Sequence, residues 1–179
     1  ANKLYLNEGG TRENSASWVS SDSDDTWSIA WGDVDGDGDL DLAVGNSNTA
    51  DKLYLNIDGV LEQTASWTSN NSSDTRTIAW GDVDGDADLD LAVGVWNNDN
   101  LLYINNNGVL ETTPSWASGD TDWTYSLAWG DVDGDGDLDA VLARNGYENS
   151  VWFNDGSGDF TSHLNLGRQD ANSVETFDY

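Results

Sequence analysis

Cysteine is absent from this 179-residue chain, histidine and proline each occur once, and only six residues are Lys or Arg. Without cysteine there is no disulfide framework, no thiolate metal site and no cysteine nucleophile. A single histidine, His163, leaves no set for a His-ligated zinc centre or a His-based triad. Six basic residues stand against 34 acidic ones, a formal net charge of −28. That balance excludes the clustered Lys and Arg that hold phosphate backbones, so no nucleic acid is expected. It also lacks the basic segments drawn to anionic membranes. No apolar run approaches the ~20 residues of a spanning helix, so no membrane insertion is expected. The chain starts at Ala1 with no charged-then-apolar leader, and any signal peptide is expected to have been removed already.

What is present is aromatic: 10 Trp, 6 Tyr and 3 Phe supply buriable surface that an acidic disordered tail does not carry. These residues recur with a fixed period. "AWGDVDGDGDLDLAVG" at 30–45 returns as "AWGDVDGDADLDLAVG" at 79–94 and as "AWGDVDGDGDLDAVLA" at 128–143. Trp31, Trp80 and Trp129 keep the same spacing as Trp18, Trp67 and Trp116, and as Leu4, Leu53 and Leu102; Val151 stands fourth in that last series. The period is 49 residues, with no insertion or deletion across this span.

Each unit reads as four short strands, with no helical periodicity. They are 28–33, 40–45, 52–56 and 64–69 in the first unit. Leu40, Leu42 and Val44 are expected to share one face, with Asp41, Ala43 and Gly45 on the other, small enough for close stacking of sheets. "IDG" at 57–59 and "NNG" at 106–108 mark turns. Four-stranded units of about this length predict an all-β fold, a β-propeller of antiparallel four-stranded blades. A stacked solenoid or an open sandwich is the alternative. The blades span 26–74, 75–123 and 124–172, with a partial blade at 1–25 and the first strand of a further one at 173–179. A closed propeller typically needs at least four blades. The chain is therefore expected to be part of a longer propeller, or to close a ring by homo-oligomerisation through open strand edges.

The connections between first and second strands are the acidic ones. Asp33, Asp35, Asp37, Asp39 and Asp41 fall within nine residues, and Asp82, Asp84, Asp86, Asp88 and Asp90 and Asp131, Asp133, Asp135, Asp137 and Asp139 repeat the pattern. Carboxylates at positions 1, 3, 5 and 9 can converge, position 7 can offer its carbonyl, and an all-oxygen loop favours Ca²⁺. Three Ca²⁺ sites are expected, one per loop. An EF-hand is excluded, since position 12 is Val44 and a strand follows. Solvated acidic turns are the plainer alternative, but five adjacent carboxylates without a cation repel one another. Gly38 and Gly136 at position 6 suit a left-handed backbone, whereas Ala87 there should make the second site the weakest, by about tenfold. Fifteen of the 34 acids thus sit in these loops, and three divalent ions would bring −28 to −22.

"GDVDGDGDLDLAVG" together with "NKLYLN" resembles the FG-GAP/VCBS repeat of integrin-alpha-like propellers. That family's loop reads D-x-D-x-D-G-x-x-D. Asp33, Asp35, Asp37, Gly38 and Asp41 match it, as do Asp131, Asp133, Asp135, Gly136 and Asp139; Asp82, Asp84, Asp86 and Asp90 match, with Ala87 departing. The resemblance covers nearly the whole chain. It implies a calcium-bearing propeller, usually of seven blades, of the kind found in extracellular adhesion proteins, some lectins and secreted microbial surface proteins.

The remaining connections vary between units: 46–51, 95–100 and 144–149, and 20–27, 69–76 and 118–125. Strand alternation puts both sets on the face opposite the Asp loops. Trp27, Trp96, Trp123, Tyr125 and Tyr147 lie there and are candidates for binding a glycan or a protein ligand. The Trp31 and Trp18 series are read as packing, and His163 as an incidental surface residue. No catalytic residue is identified, and no enzyme is expected. A glycosidase needs one carboxylate pair at roughly 5–9.5 Å, and no pair stands out among so many acids. The expectation is an extracellular, calcium-stabilised interaction module, since calcium loops of this kind fill outside the cell. An assembly unit is the alternative.

Overall fold

The computed structural model describes residues 1–168 and 170–175. Among these there is no helix; three four-stranded antiparallel sheets follow one another along the chain. The first comprises Thr26–Gly32, Asp41–Asn46, Lys52–Tyr54 and Trp67–Thr68. The second comprises Thr75–Gly81, Asp90–Val95, Leu101–Tyr103 and Trp116–Ala117. The third comprises Thr124–Gly130, Asp139–Arg144, Glu148–Phe153 and Ser162–Arg168. Before them Lys3–Leu4 pairs with Trp18–Val19, one period ahead of the third and fourth strands of the first sheet.

The strands are shifted from the sequence reading. Each second strand begins at the ninth loop position, so Leu40 is 54% exposed and not in the core. Asp41 goes inside instead, because its carboxylate is needed there by backbone donors. The third strand of the first sheet stops at Tyr54, and Asn56–Ile57 opens a separate hairpin with Val60–Leu61. Its turn has φ of 54° at Asp58 and 81° at Gly59, matched by 54° and 82° at Asn107 and Gly108, the geometry that an Asp-Gly or Asn-Gly pair favours. Residues 173–175 form no strand, and the rest of the strand expected at 173–179 lies outside the described residues.

Successive sheets stack through their first two strands, where first strand lies against first strand. The second strands of the first two sheets are buried along their whole length. A Cβ at Gly45 would meet Thr75 Cγ2 of the next sheet at 2.5 Å, so the small-residue face is the close-stacking one. Trp80 sits over Gly32 and Trp129 over Gly81 in the same way, whereas Trp31 borders a cleft shared with Leu4 and Trp18 of the two-stranded sheet and is 40% exposed. Trp18, Trp67 and Trp116 meet Tyr54, Tyr103 and Trp152 edge-on at 5.1–5.3 Å. Their indole N–H groups donate to the carbonyls of Glu62, Glu111 and Phe160 in the following unit. Each of these Trp residues therefore fastens one repeat to the next. His163 lies in the last strand, stacked on Trp152 at 4.4 Å.

One buried acid breaks the repeat. Asp51 accepts from Asn46 N at 2.8 Å, and the residues one and two periods on, Asn100 and Asn149, accept from Val95 N and Arg144 N in the same way. Burial pushes the Asp51 carboxyl up to about 6, against hydrogen bonds from Asn46 and Thr75 that lower it. Its contribution to stability is thus full below the ordinary carboxylate pKa and is lost as pH rises through about 6. Asp51→Asn keeps the acceptor oxygen and removes the buried charge. It is expected to stabilise the chain by roughly 1–3 kcal/mol at pH 8, with the gain shrinking towards pH 4. Denaturant unfolding at both pH values checks this; an equal gain at both would contradict it.

Candidate metal loops and the aromatic face

The Asp loops are built from short side-chain-to-backbone bonds. In the first, Gly38 N donates to Asp33 Oδ2 at 3.0 Å and Asp39 N to Asp37 Oδ1 at 2.8 Å. The chain turns at Gly36 and Gly38 with φ of 74° and 94°. Asp41 closes the loop from inside the sheet: Val34 N donates to its Oδ2 at 2.9 Å and Asn56 N to its Oδ1 at 2.7 Å. Asp90 holds Val83 N and Asn105 N, and Asp139 holds Val132 N and Asn154 N, with the same geometry. All three are fully buried. Burial pushes the Asp90 carboxyl up to about 6, with the charges of Asp84 and Asp86 adding to it.

Carboxylate oxygens of Asp33, Asp35 and Asp37 come within 4.8 Å of one another, as do those of Asp82, Asp84 and Asp86 and those of Asp131, Asp133 and Asp139. The seventh-position acids point elsewhere. Asp39 accepts from Gly59 N and Asp88 from Asn107 N, both in the neighbouring hairpin, and Asp137 lies against Gly156. Asp41 and Asp90 are held by backbone donors behind their triads, and Asp135 accepts from Asp137 N. The donor set fits a hard cation: it is all oxygen, and Asp33 Oδ1 is buried with no hydrogen-bond partner. A calcium ion bound there would satisfy that oxygen and neutralise the repulsion within each triad. Burial, then the Asp86 charge, raises the Asp84 carboxyl above its ordinary value.

Ala87 adopts φ of 76° where Gly38 and Gly136 have 94° and 102°, and its N–H donates to Asp82 Oδ2 as theirs donate to Asp33 and Asp131. The turn survives at a cost of about 1–2 kcal/mol. Ala87→Gly is expected to raise the calcium affinity of this loop about tenfold. Titration in a background with Asp35→Ala and Asp133→Ala isolates it; an unchanged affinity would contradict the assignment of the strain to binding.

The first two loops are also gripped by the following repeat. Asn105 Nδ2 donates to Val34 O at 2.8 Å and Asn154 Nδ2 to Val83 O at 2.7 Å. Under these contacts Val34 and Val83 are buried, whereas Val132 in the third loop is 49% exposed.

On the opposite edge the variable loops pair across sheets, through Ser47 with Asp74 and Trp96 with Trp123. They draw the five predicted rings into a row. Trp96 stacks on Trp123 with centroids 4.7 Å apart and planes at 19°; Tyr125 tilts against Trp96, and Tyr147 meets Trp123 edge-on. Arg76 carries the row to Trp27, its guanidinium 4.0 Å from the Trp27 ring and 4.6 Å from Trp96. Sequence reasoning passed over Arg76, although the period aligns it with Trp27 and Tyr125. Beyond Tyr147 a cavity of about 390 Å³ is lined by Asp120, Asp122, Glu148 and His163, among others. Arg144 donates to both Asp120 and Asp122 there, while Lys52 pairs with Asp22 and Asp24 two repeats earlier. Where the second repeat has Asn71 and Ser73 instead of the acids, the cation is absent too.

No curated protein matches this chain. The family model described as FG-GAP-like repeat matches residues 1–44, 33–93 and 90–142. With three overlapping repeats covering most of its length, the chain belongs to the FG-GAP-like repeat family.

Proposed function

We propose that this chain is a calcium-stabilised recognition module, working outside the cell as part of a propeller and binding a glycan or protein ligand through its variable-loop face. The observation that carries this is the row of rings. Trp27, Trp96, Trp123, Tyr125 and Tyr147 come from three repeats, differ from repeat to repeat, and yet meet on one face. A repeat fold conserves what it needs for stacking, so a continuous aromatic patch built from its variable loops is surplus to packing and suits a partner. The Asp loops on the other edge would hold calcium and keep the sheets in register. Asp33, Asp35 and Asp37 in the first loop, Asp82, Asp84 and Asp86 in the second and Asp131, Asp133 and Asp139 in the third are the ligands we assign. The face is read as binding, not catalysis.

Glycan and protein arrays probed with the calcium-loaded chain test this reading. A ligand retained by the chain and lost at least about tenfold in Trp96→Ala or Trp123→Ala is expected; ligands indifferent to both substitutions would contradict it. The exposed Val132 favours a second reading, in which a further unit, from a longer chain or another copy, covers the third loop as Val34 and Val83 are covered. Sedimentation in calcium decides between copies and a monomer.

A further inference from the structure

We infer that this chain associates head-to-tail with a second copy, the far side of the third sheet of one copy seating on the open side of the first sheet of the next. This rests on the second reading above, and it names both the covering unit and the surface covered. The open side is a stripe along the first strand of the first sheet. Ile29 is 56% exposed, whereas Ile78 and Leu127, one and two periods on, are 6% and 8% exposed. Leu40 is 54% exposed, whereas Leu89 Cδ1 and Leu138 Cδ1 lie 2.9 and 3.2 Å from where a Cβ would stand on Gly32 and Gly81. In the second and third sheets, the first two strands of the preceding unit cover these positions. Ahead of the first sheet, the described residues supply only that unit's third and fourth strands, Lys3–Leu4 and Trp18–Val19. A cleft of about 310 Å³ therefore stays open among Trp31, Leu4, Leu6 and Trp18.

The other end of the chain carries the complement. Ile78 N donates to Ser28 Oγ at 3.1 Å, from the second sheet to the first; Val174 N donates to Ser126 Oγ at 3.3 Å, two periods on. The backbone at Val174 thus lies on the third sheet as the next first strand lies on the first sheet. One end holds a first-strand position, and the other holds a third and a fourth strand. Beside Val174's sheet, Val132 is 49% exposed, whereas Val34 and Val83 are 1% and 2% exposed. The carbonyls of Val34 and Val83 accept from Asn105 and Asn154, and the same period places Asn7 at the head of the series. Asn7 opens the hairpin of Asn7–Glu8 with Thr11–Arg12, the counterpart of Asn56–Ile57 with Val60–Leu61, and it is exposed. Set one period after the third sheet, Asn7 of a second copy meets Val132 O as Asn105 meets Val34 O. Residues 171–174 of the first copy then lie against Ile29 of the second. The contact continues the interface that already joins each sheet to the next, which is why the occupant is another copy. Two unlike surfaces meet, so association is heterologous and stops only where a ring closes.

Sedimentation of the calcium-loaded chain from about 1 to about 100 μM tests this, with Ile29→Glu to block one surface and Val132→Glu to block the other. The unaltered chain is expected to run at a multiple of its own mass. Each variant alone should associate about a hundredfold more weakly, since a carboxylate enters an apolar contact. Asn7→Ala should weaken association by up to about tenfold. Both blocked side chains are exposed in the single chain, so circular dichroism should be unchanged. An equimolar mixture of Ile29→Glu with Val132→Glu keeps one intact surface of each kind and should form a complex of two chains. That rescue also shows both variants folded. A monomer at every concentration would overturn the inference while leaving a covering unit from a longer chain standing. An oligomer broken by Ile29→Glu but indifferent to Val132→Glu would overturn both the inference and the second reading. An oligomer that survives Ile29→Glu, or a mixture that stays monomeric, would overturn the head-to-tail contact. The ligand arrays judge recognition separately, because Trp96 and Trp123 join the second sheet to the third within one chain.

Discussion

Removing calcium with a chelator is expected to lower the thermal midpoint of this chain by roughly 15–30 °C. The magnitude follows from linkage. An ion about 100-fold above its dissociation constant adds ~2.7 kcal/mol, and three independent loops add ~8 kcal/mol. A domain of this size shifts by about 2–4 °C per kcal/mol. The sign follows from the loops themselves, where three carboxylates converge within 4.8 Å and Asp33 Oδ1 has no other partner. Calorimetric melts with calcium and with chelator check it, and coincident transitions would contradict it.

Asp90→Ala is expected to cost about 3–5 kcal/mol, the largest loss from any single loop acid of the second repeat. Its two oxygens take the N–H groups of Val83 and Asn105, both buried, and alanine leaves both unpaired. Asn105 in turn holds Val34 O of the preceding loop, so the damage reaches the interface between sheets. Asp90→Asn keeps one acceptor oxygen and should lose about half as much. Asp86→Ala, at an exposed position of the same loop, should lose little once calcium is absent. Urea unfolding in chelator ranks the three; equal costs for Asp90→Ala and Asp86→Ala would contradict the buried-bridge account.

Most of the sheet order was legible because a fixed period forces equivalent residues into equivalent places. Trp18, Trp67 and Trp116 read as packing residues and are; the Asp loops read as turns between first and second strands and are. Ala87 was legible as a left-handed residue from its alignment with two glycines. What was hidden depended on charge meeting charge at a distance. Leu40 looked like core by alternation, but a buried Asp41 displaces it, since satisfying two backbone donors outweighs burying one leucine. Lys52 and Arg144 serve equivalent acid pairs from different strands, which no single alignment column records. Arg76 is the clearest case. It drew no reading in the sequence although the period aligns it with Trp27 and Tyr125, and only the fold sets it between two indoles.

The account stands most directly on metal binding by the Asp loops. Calorimetric titration of calcium into the decalcified chain is expected to give three bound ions, falling to two in each of Asp35→Ala, Asp84→Ala and Asp133→Ala. A chain that takes up no calcium with saturation, or whose stoichiometry ignores all three substitutions, would contradict it.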